Sequence, residues 1–351
     1  MPDAAPRALS YVDALREAAA QEMERDPRVF VMGLDVDDHK GIQGSTKGLV
    51  DRFGPERVFT TPLSEDAMTG VAIGAAQAGL RPIHVHIRMD FLMLCMNQLV
   101  NIAAKSRYMY GGQVKVPMVV RAMIGKSWGQ GAQHSQGLHA MFMHVPGIKV
   151  LAPSNAHDAK GCLIAAIRDD NPVLMVEHRL LYPLIAEVPE APYAARLGEA
   201  RVLRKGTDIT LLGISAMVPE CLRAAELLRE IGIDAEVIDP ISLVPFDRAA
   251  LAASVRKTGR LLAVDSAWTM CGASAEVAAM AAEDAPGVRI ARLGFAPTTC
   301  PTAPSLEHAF YPNPAVIAAR AHVLVRPDAK TWRPSPEAER SVTGLNFKGP
   351  F

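Results

Sequence analysis

A short segment rich in hydroxyl and acidic residues, 60–66 (TTPLSED), stands between an apolar run and a stretch with helical periodicity. Ser64 is suited to cap that helix, and the helix dipole would then favour Glu65 and Asp66 in its first turn. This local role explains both acids without a ligand. The alternative is that Glu65 faces a ligand, because open α/β sheets bind ligands beyond the carboxyl ends of their strands.

A second unusual segment, 125–137 (GKSWGQGAQHSQG), is rich in glycine and follows the apolar run 117–124. Glycine permits positive φ angles and the close approach of a ligand to the backbone. A flexible surface loop is the simpler interpretation. Trp128 and His134 are unusual in a mere connection, however, and they favour a site in this segment.

The histidines allow two metal hypotheses. His84 and His86 would lie on the same face of a strand, which suits a pair of metal ligands, but no third ligand is evident and a packing role is the simpler interpretation. His134, His139 and His144 are spaced by five residues, which does not align them on one helical face. The sequence therefore predicts no metal cluster in that region.

Three motifs that place common chemistry on α/β folds are absent. No G-x-G-x-x-G follows the first apolar run, so a dinucleotide-dependent oxidoreductase is unsupported. Gly125, Lys126 and Ser127 match the end of a phosphate-binding loop, but Val120 stands where that loop requires its first glycine. No G-x-S-x-G occurs either, which leaves a hydrolase without its nucleophile.

Composition narrows the class of protein further. The length of 351 residues is enough for about two domains. Lysine and arginine number 37, as do aspartate and glutamate, and this balance argues against nucleic acid as a partner. No apolar run of membrane-spanning length or signal peptide is evident, and the five cysteines form no C-x-x-C pair. We expect a soluble, cytoplasmic protein that binds neither nucleic acid nor membrane.

Short apolar runs alternate with helix-periodic stretches through the first half of the chain. The predicted strands are 29–36, 57–61, 82–87, 117–124, 150–153 and 172–177. The predicted helices are 11–25, 66–78, 91–108 and 156–168, and Ser10 with Asp13 begins the first of them like a capping box. This alternation indicates right-handed crossovers and a largely parallel sheet covered on both faces.

The second half repeats the pattern after a proline-rich segment, 182–195, which we interpret as a linker. The predicted strands are 209–213, 235–238, 261–264 and 288–293, and the predicted helices are 217–231, 247–257 and 273–282. The chain from 327 onward is rich in proline and charge and is expected to be extended. The fold class is therefore α/β, with two doubly wound domains over 1–190 and 191–328 and a tail over 329–351.

Several segments together resemble one family, the β subunits of thiamine-diphosphate-dependent 2-oxo acid dehydrogenases that act on pyruvate, branched-chain 2-oxo acids or acetoin. The resemblance runs from about Tyr11 to about Arg320. It implies an aminopyrimidine-binding domain followed by a transketolase C-terminal-like domain. The segments that carry it are TTPLSED, GGQVKVPMVVR, AQHSQG, HVPGIKVLAPSNAHDAKGCLIAAIRDDNPV, GRLLAVD and GASAEVAA.

The resemblance also implies roles for individual residues. Glu65 matches the carboxylate that hydrogen-bonds the aminopyrimidine ring of thiamine diphosphate, where sharing a proton activates the cofactor. Leu63 and Phe91 match residues that contact the same ring. His134 matches an active-site histidine that meets the substrate carboxylate or acts during acyl transfer to a lipoyl group.

Partners and ions follow from the same resemblance. The sequence has no Gly-Asp-Gly followed by an Asn-Asn motif, so a separate α subunit is expected to hold magnesium and the diphosphate, with two α and two β chains in the assembly. A lipoyl-bearing acyltransferase is the expected acceptor. Some members of the family bind a structural potassium ion; the matching positions are Met118, Ala166, Ile167, Asp169 and Asn171.

The chain departs from the family pattern at several positions. Leu34 and Val85 replace acids that are usual near the cofactor, and Leu94 replaces a polar residue. Lys126 and Trp128 replace small residues. The final segment, GLNFKGPF, matches nothing in the family pattern. The resemblance implies that the missing carboxylates remove hydrogen bonds that are usual with the cofactor or between subunits.

Three functions stay open at this point. The first is oxidative decarboxylation of a 2-oxo acid, or cleavage of an acetoin-like ketol, by a β subunit that is active only with its α partner. The second is ketol transfer by a split transketolase, for which His84 and His86 could bind sugar hydroxyls. The third is a structural or regulatory subunit, suggested by Leu34, Val85 and Leu94 but opposed by the retained Glu65 and His134. The sequence does not identify the substrate.

Overall fold

The structure is a computed structural model that describes residues 7–38, 40–126, 129–342 and 344. The chain divides into two compact units. Among the described residues, the first unit comprises 7–125 and 141–197, and the second comprises 126–140 and 198–344. The segment 126–140 therefore belongs to the second unit, although the residues on both sides of it in sequence belong to the first.

The first unit alternates strands and helices. Its strands are β1 (Arg7–Ser10), β2 (Val29–Gly33), β3 (Val58–Thr60), β4 (Arg81–His86), β5 (Val119–Ile124), β6 (Lys149–Leu151), β7 (Val173–His178) and β8 (Ile185–Val188). Its α-helices are α1 (Tyr11–Arg25), α2 (Leu49–Phe53), α3 (Glu65–Gln77), α4 (Ala104–Met109), α5 (His139–Met143), which begins in segment 126–140, and α6 (Ala156–Arg168). Met89–Cys95 and Arg179–Leu181 form 3₁₀-helices, and Asn97–Ala103 forms a π-helix.

The main sheet of this unit is parallel, with its strands in the order β6-β7-β5-β4-β2-β3. Strands β5 and β7 are buried along their whole length. Burial on both faces is typical of parallel sheets, whose crossover helices cover them above and below. The predicted α/β fold class is confirmed.

Helices α1 and α6 begin and end where the sequence predicts. The hydroxyl of Ser10 accepts a hydrogen bond from the backbone N–H of Asp13 at 3.2 Å, and Asn155 accepts one from Asp158 at 2.9 Å. Each cap satisfies a donor that the first helical turn leaves unpaired. Local chemistry therefore determines both helix starts.

The predicted single helix over 91–108 is wrong. The chain follows a 3₁₀-helix, a π-helix and then α4 through this region. Apolar periodicity detects a helical path but does not determine the number of residues per turn. Tertiary contacts contribute here, including the hydrogen bond from Thr69 of α3 to Cys95 at 3.2 Å.

The predicted linker over 182–195 is also wrong. It contains β8, which pairs antiparallel with β1 and buries Val188. Beyond β8, the buried ammonium of Lys160 donates to the carbonyl oxygens of Pro189 at 2.6 Å and Glu190 at 2.9 Å. Proline lacks an N–H but keeps its carbonyl acceptor, so a proline-rich segment can still be bound firmly by a buried cation.

The second unit has its own sheet. The strands of this unit are β9 (Arg201–Arg204), β10 (Ile209–Gly213), β11 (Ala235–Asp239), β12 (Ser242–Val244), β13 (Arg260–Trp268) and β14 (Arg289–Phe295), and all of them except β12 belong to that sheet. Its helices are α7 (Met217–Arg229), α8 (Arg248–Thr258), α9 (Ala273–Asp284), α10 (Pro304–Phe310), α11 (Pro314–Val325) and α12 (Pro336–Ser341), with a 3₁₀-helix at Gly131–Gln133. The order β14-β13-β10-β11-β9 is parallel apart from β9, which runs antiparallel to β11 at one edge.

The tail is not extended throughout, because it contains α12, which the hydroxyl of Ser335 caps. The last residues, 345–351, lie outside the described part of the chain. We keep the domain limits 1–190, 191–328 and 329–351 as a proposal. Within the described residues, no helix has the length and apolar character needed to cross a membrane.

A buried ion pair joins two strands of the first sheet. Arg121 of β5 donates to both carboxylate oxygens of Glu177 of β7, at 2.6 and 2.9 Å, and both side chains are buried. The hydroxyl of Tyr182 donates to the same carboxylate at 2.7 Å, and the Tyr182 ring stacks on that of Tyr11. Burial, together with the charge of Glu177, raises the pKa of Tyr182 well above its ordinary value.

We predict that Glu177→Gln lowers the free energy of unfolding by roughly 3–5 kcal/mol, because it leaves the Arg121 guanidinium buried without its counter-ion. Urea unfolding of the purified chain measures this change. The control is Glu226→Gln, which breaks an exposed ion pair with Arg229 and should cost less than about 0.5 kcal/mol. Equal effects of the two substitutions would contradict the prediction.

Candidate active site

The carboxyl edge of the first sheet has a topological switch point. From β2 the chain continues to β3 on one side, and from β4 it continues to β5 on the other, while β2 and β4 are neighbours. Gly33 at the end of β2 pairs in register with Val85 of β4. Open α/β sheets bind ligands in the crevice beyond such a point. Residues that follow β2, β3 and β4 are therefore the candidates for a site.

Glu65 is brought to this edge as the first residue of α3, shortly after the end of β3. It is half-buried, and within the described residues its carboxylate makes no hydrogen bond or ion pair. Ser64 occupies the N-cap position, as predicted, but its side chain makes no capping hydrogen bond. Leu63 beside it is 74% exposed, which is unusual for an aliphatic side chain at a strand end. Glu65 and Leu63 are therefore both accessible to a ligand.

Phe91 reaches the same edge from the connection after β4. It lies half-buried in the 3₁₀-helix Met89–Cys95. Cys95 in that helix packs against α3 through Thr69, and burial, with the nearby charge of Glu65, raises the pKa of its thiol to about 11. The carboxylate and the aromatic ring thus lie on two elements that contact each other. A carboxylate acceptor and an aromatic ring on two adjoining elements suit a flat, polar ligand ring such as an aminopyrimidine.

His84 and His86 lie beneath this edge, within the protein. They are 2% and 5% exposed, and their rings meet edge to face with centroids 4.2 Å apart. His84 Nε2 forms a hydrogen bond with the hydroxyl of Thr69 at 3.2 Å. Burial lowers the pKa of His84 to about 4 and that of His86 well below its usual value. Their burial opposes the hypothesis that they bind sugar hydroxyls, and the described residues contain no group of three metal ligands around them.

One departure from the family pattern, Val85, is explained by its place in the fold, and the retained Gly33 opposite it is explained by close packing. Val85 is 2% exposed and belongs to the core of the sheet. Gly33 has a φ of +153°, and a Cβ atom there would lie 2.4 Å from the carbonyl oxygen of Val85, so only glycine fits. Leu34 is half-buried and Leu94 is 58% exposed, and nothing in the structure explains their replacement of polar residues. Trp128 lies outside the described residues.

His134 belongs to the second unit. It follows the 3₁₀-helix Gly131–Gln133 and is half-buried. Sequence reasoning missed a neighbour, His139, whose buried Nε2 lies 2.9 Å from Oδ2 of Asp265. The two residues are 126 positions apart, and no local pattern signals their contact.

The structure brings the five potassium positions together around α6 and the starts of β5 and β7. Their oxygen atoms already accept hydrogen bonds: Arg81 donates to the carbonyl oxygens of Ile167 at 2.8 Å and Asp169 at 3.0 Å. The carbonyl oxygens of Met118 and Ala166 accept from backbone N–H groups, and Oδ1 of Asn171 accepts from Arg107 at 3.1 Å. Lys149 and the Asn171 amide donate to the Asp169 carboxylate. A carbonyl oxygen has two lone pairs, so the set stays compatible with an ion.

Comparison with known proteins supplies the family. Transketolase pyrimidine-binding domains match residues 7–185, and transketolase C-terminal domains match residues 198–317. The β subunit of acetoin:2,6-dichlorophenolindophenol oxidoreductase from Cupriavidus necator is 43% identical over 91% of this chain and 98% of its own length. The mitochondrial pyruvate dehydrogenase E1 component subunit beta-2 of Oryza sativa is 43% identical over 88% of this chain and 84% of its own. The chain belongs to the β subunits of thiamine-diphosphate-dependent 2-oxo acid dehydrogenases.

A solved structure extends the comparison of these β subunits to the fold. It is a split-gene transketolase described as an inactive β4 tetramer, with a TM-score of 0.74 over 90% of this chain and 98% of that one. The two sequences are 22% identical, so this likeness shows the fold alone. The expectation of a pyrimidine-binding module followed by a transketolase C-terminal module is confirmed.

We predict that the β subunit becomes less stable as the pH falls from about 6.5 toward about 4. The unfolded chain binds a proton at His84 near its ordinary pKa of 6.5, whereas the folded chain does so only near 4. This difference removes on the order of 3 kcal/mol by pH 4. Urea unfolding measures the free energy of unfolding across this range, and this free energy should depend less on pH in His84→Gln than in the unchanged chain.

The matched control for this experiment is His144→Gln, which changes an exposed histidine. The free energy of unfolding of this variant should depend on pH as that of the unchanged chain does. If His84→Gln also follows the unchanged chain, the buried histidine does not contribute to acid destabilisation as we predict.

Proposed function

We propose that this chain is the β subunit of an oxidoreductase that decarboxylates a 2-oxo acid, or cleaves an acetoin-like ketol, on thiamine diphosphate. One observation supports this assignment above the others. Glu65, in a chain of this family, stands at the switch point, its carboxylate has no partner among the described residues, and its helix contacts the one that carries Phe91. We keep the cytoplasm as its proposed location.

Each candidate residue has a distinct proposed role. Glu65 accepts a hydrogen bond from a nitrogen of the aminopyrimidine and holds the proton there, while Phe91 and Leu63 cover the faces of the ring. His134 orients the substrate carboxylate or assists acyl transfer. The cofactor, when bound, supplies a carbon nucleophile and an electron sink for decarboxylation. The half-buried position of Glu65 supports its role, because partial exclusion of water strengthens a hydrogen bond to a ligand.

An α subunit is the proposed partner. The pyrimidine module and the C-terminal module account for residues 7–185 and 198–317, and the sequence has no motif for holding magnesium and a diphosphate. We therefore propose that the α subunit holds both, in an assembly of two α and two β chains. A lipoyl-bearing acyltransferase is the proposed acceptor of the acyl group. The relatives named above divide between pyruvate and acetoin, so the substrate is proposed only as a class.

Co-expression with the α-like gene tests the function. The purified complex is supplied with thiamine diphosphate and magnesium, and reduction of an artificial electron acceptor is followed with pyruvate, branched-chain 2-oxo acids and acetoin. Activity with one of these supports the proposal. Activity only with a ketose phosphate would assign ketol transfer instead. A complex that binds no cofactor would assign a structural or regulatory role.

We predict that Glu65→Gln lowers kcat of this complex at least about 100-fold, because the amide keeps the size of the side chain but cannot hold the proton in the same way. Asp66→Asn is the matched control, since Asp66 is exposed in the same helical turn. It should change kcat less than about twofold. Steady-state kinetics of both variants measure kcat. Equal losses of kcat in the two variants would refute a specific role for Glu65.

The potassium proposal has its own test. If an ion binds at Met118, Ala166, Ile167, Asp169 and Asn171, replacing potassium chloride by sodium chloride at equal ionic strength should lower the midpoint of thermal unfolding by about 2–4 °C. Calorimetry measures this difference. Asp169→Ala should remove it. Equal midpoints of the unchanged chain in both salts would exclude a stabilising potassium ion.

A further inference from the structure

Residues 129–137 of segment 126–140 pack against the second unit through close backbone contacts. A Cβ atom on Gly137 would lie 2.2 Å from the carbonyl oxygen of Ser266, and one on Gly129 would lie 2.7 Å from that of Thr302. Real Cβ atoms do not approach this closely, so these glycines let the segment lie against the backbone of the unit. The glycines in this part of the segment therefore allow close packing.

The segment lies at the switch point of the second sheet. From β10 the chain continues to β11 on one side, and from β13 it continues to β14 on the other, while β10 and β13 are neighbours. Asp265 and Ser266 follow the last residue of β13 that pairs with β10. Gly137 approaches Ser266 at this place, where such folds bind ligands. In this unit, the backbone at Gly137 lies where such folds bind a ligand.

One buried hydrogen bond joins the segment to that edge. Nε2 of His139 lies 2.9 Å from Oδ2 of Asp265, and both residues are buried. A carboxylate only accepts hydrogen bonds, so Nε2 donates. Within the described residues, Nδ1 of His139 and Oδ1 of Asp265 have no partner. A buried pair that leaves two polar atoms unsatisfied contributes little to the free energy of unfolding. Its more useful contribution is to fix the orientation of the segment that carries His139.

His134 stands five positions before His139 in the same segment, with one end of that segment attached to β13 through Asp265. We propose that the His139–Asp265 hydrogen bond is a positioning device that holds His134 in its working orientation. This inference rests on the proposed function. In this proposal His139 and Asp265 act only through His134, and a displacement of about 1 Å at a catalytic group can cost on the order of 100-fold in rate.

The test uses the α/β complex with four substitutions. His139→Ala and Asp265→Ala remove the hydrogen bond, whereas His139→Gln keeps a donor and Asp265→Asn keeps an acceptor. We expect each alanine variant to lower kcat roughly 10- to 100-fold with little change in KM for thiamine diphosphate. We expect the conservative variants to restore kcat to within about threefold. Carbethoxylation of His134, followed by mass spectrometry, should change in rate only in the alanine variants.

The control is Ser254→Ala, which removes buried hydrogen bonds to Glu236 at 2.5 Å and Thr210 at 2.6 Å elsewhere in the same unit. It should lower the unfolding temperature and leave kcat and His134 labelling unchanged. The proposal is overturned if His139→Ala matches this control in both activity and labelling. It is also overturned if the conservative variants fail to restore activity while folding normally.

Failure of the proposed function can be told apart from failure of this inference. If the unchanged complex turns over no 2-oxo acid or ketol, the proposed function fails. Hydrogen exchange of residues 129–140 in the full chain still tests the attachment, because the alanine variants should lose amide protection there and the conservative variants should keep it. Unchanged protection in His139→Ala would overturn the attachment itself.

Discussion

The parallel alignment of β2, β3 and β4 is the constraint on which the candidate site depends. Parallel strands end at one edge, so the residues that follow each of them arrive at the same place. Glu65 comes from the connection after β3, and Phe91 comes from the connection after β4. Gly33 lets β2 pass close to Val85 of β4 at this edge. The local geometry of the site is thus a consequence of sheet formation.

Buried polar contacts reinforce this arrangement by joining different elements. Arg121 and Glu177 join β5 to β7, and Thr69 joins α3 both to His84 of β4 and to Cys95. Such contacts contribute less to net stability than apolar packing of equal volume, because each polar group must first lose its water. They do, however, penalise alternative arrangements that leave a partner unpaired. Their role fits a site that needs one defined geometry.

Sequence reasoning succeeded where the relevant physics is local. Caps at Ser10 and Asn155 determine where α1 and α6 begin, and the alternation of apolar runs with helical periods is the signature of crossover folds. It failed over 91–108 and 182–195. In the first case apolar periodicity does not distinguish the 3₁₀-, π- and α-helical turns that the chain adopts. In the second, Lys160 binds carbonyl groups of a segment that its composition makes resemble a linker. The roles proposed for Glu65 and His134 came from resemblance, since a carboxylate at a helix start has an equally simple local explanation.

The sequence by itself determined the fold class, most strand and helix positions and the family, because periodicity, caps and long motifs are properties of neighbouring residues. Only the tertiary structure decided that His84 and His86 are buried, that 126–140 belongs to the second unit, and that His139 meets Asp265. Each of these depends on residues distant in sequence. Burial and pairing of that kind arise when sheets and helices pack together, and no local pattern encodes them.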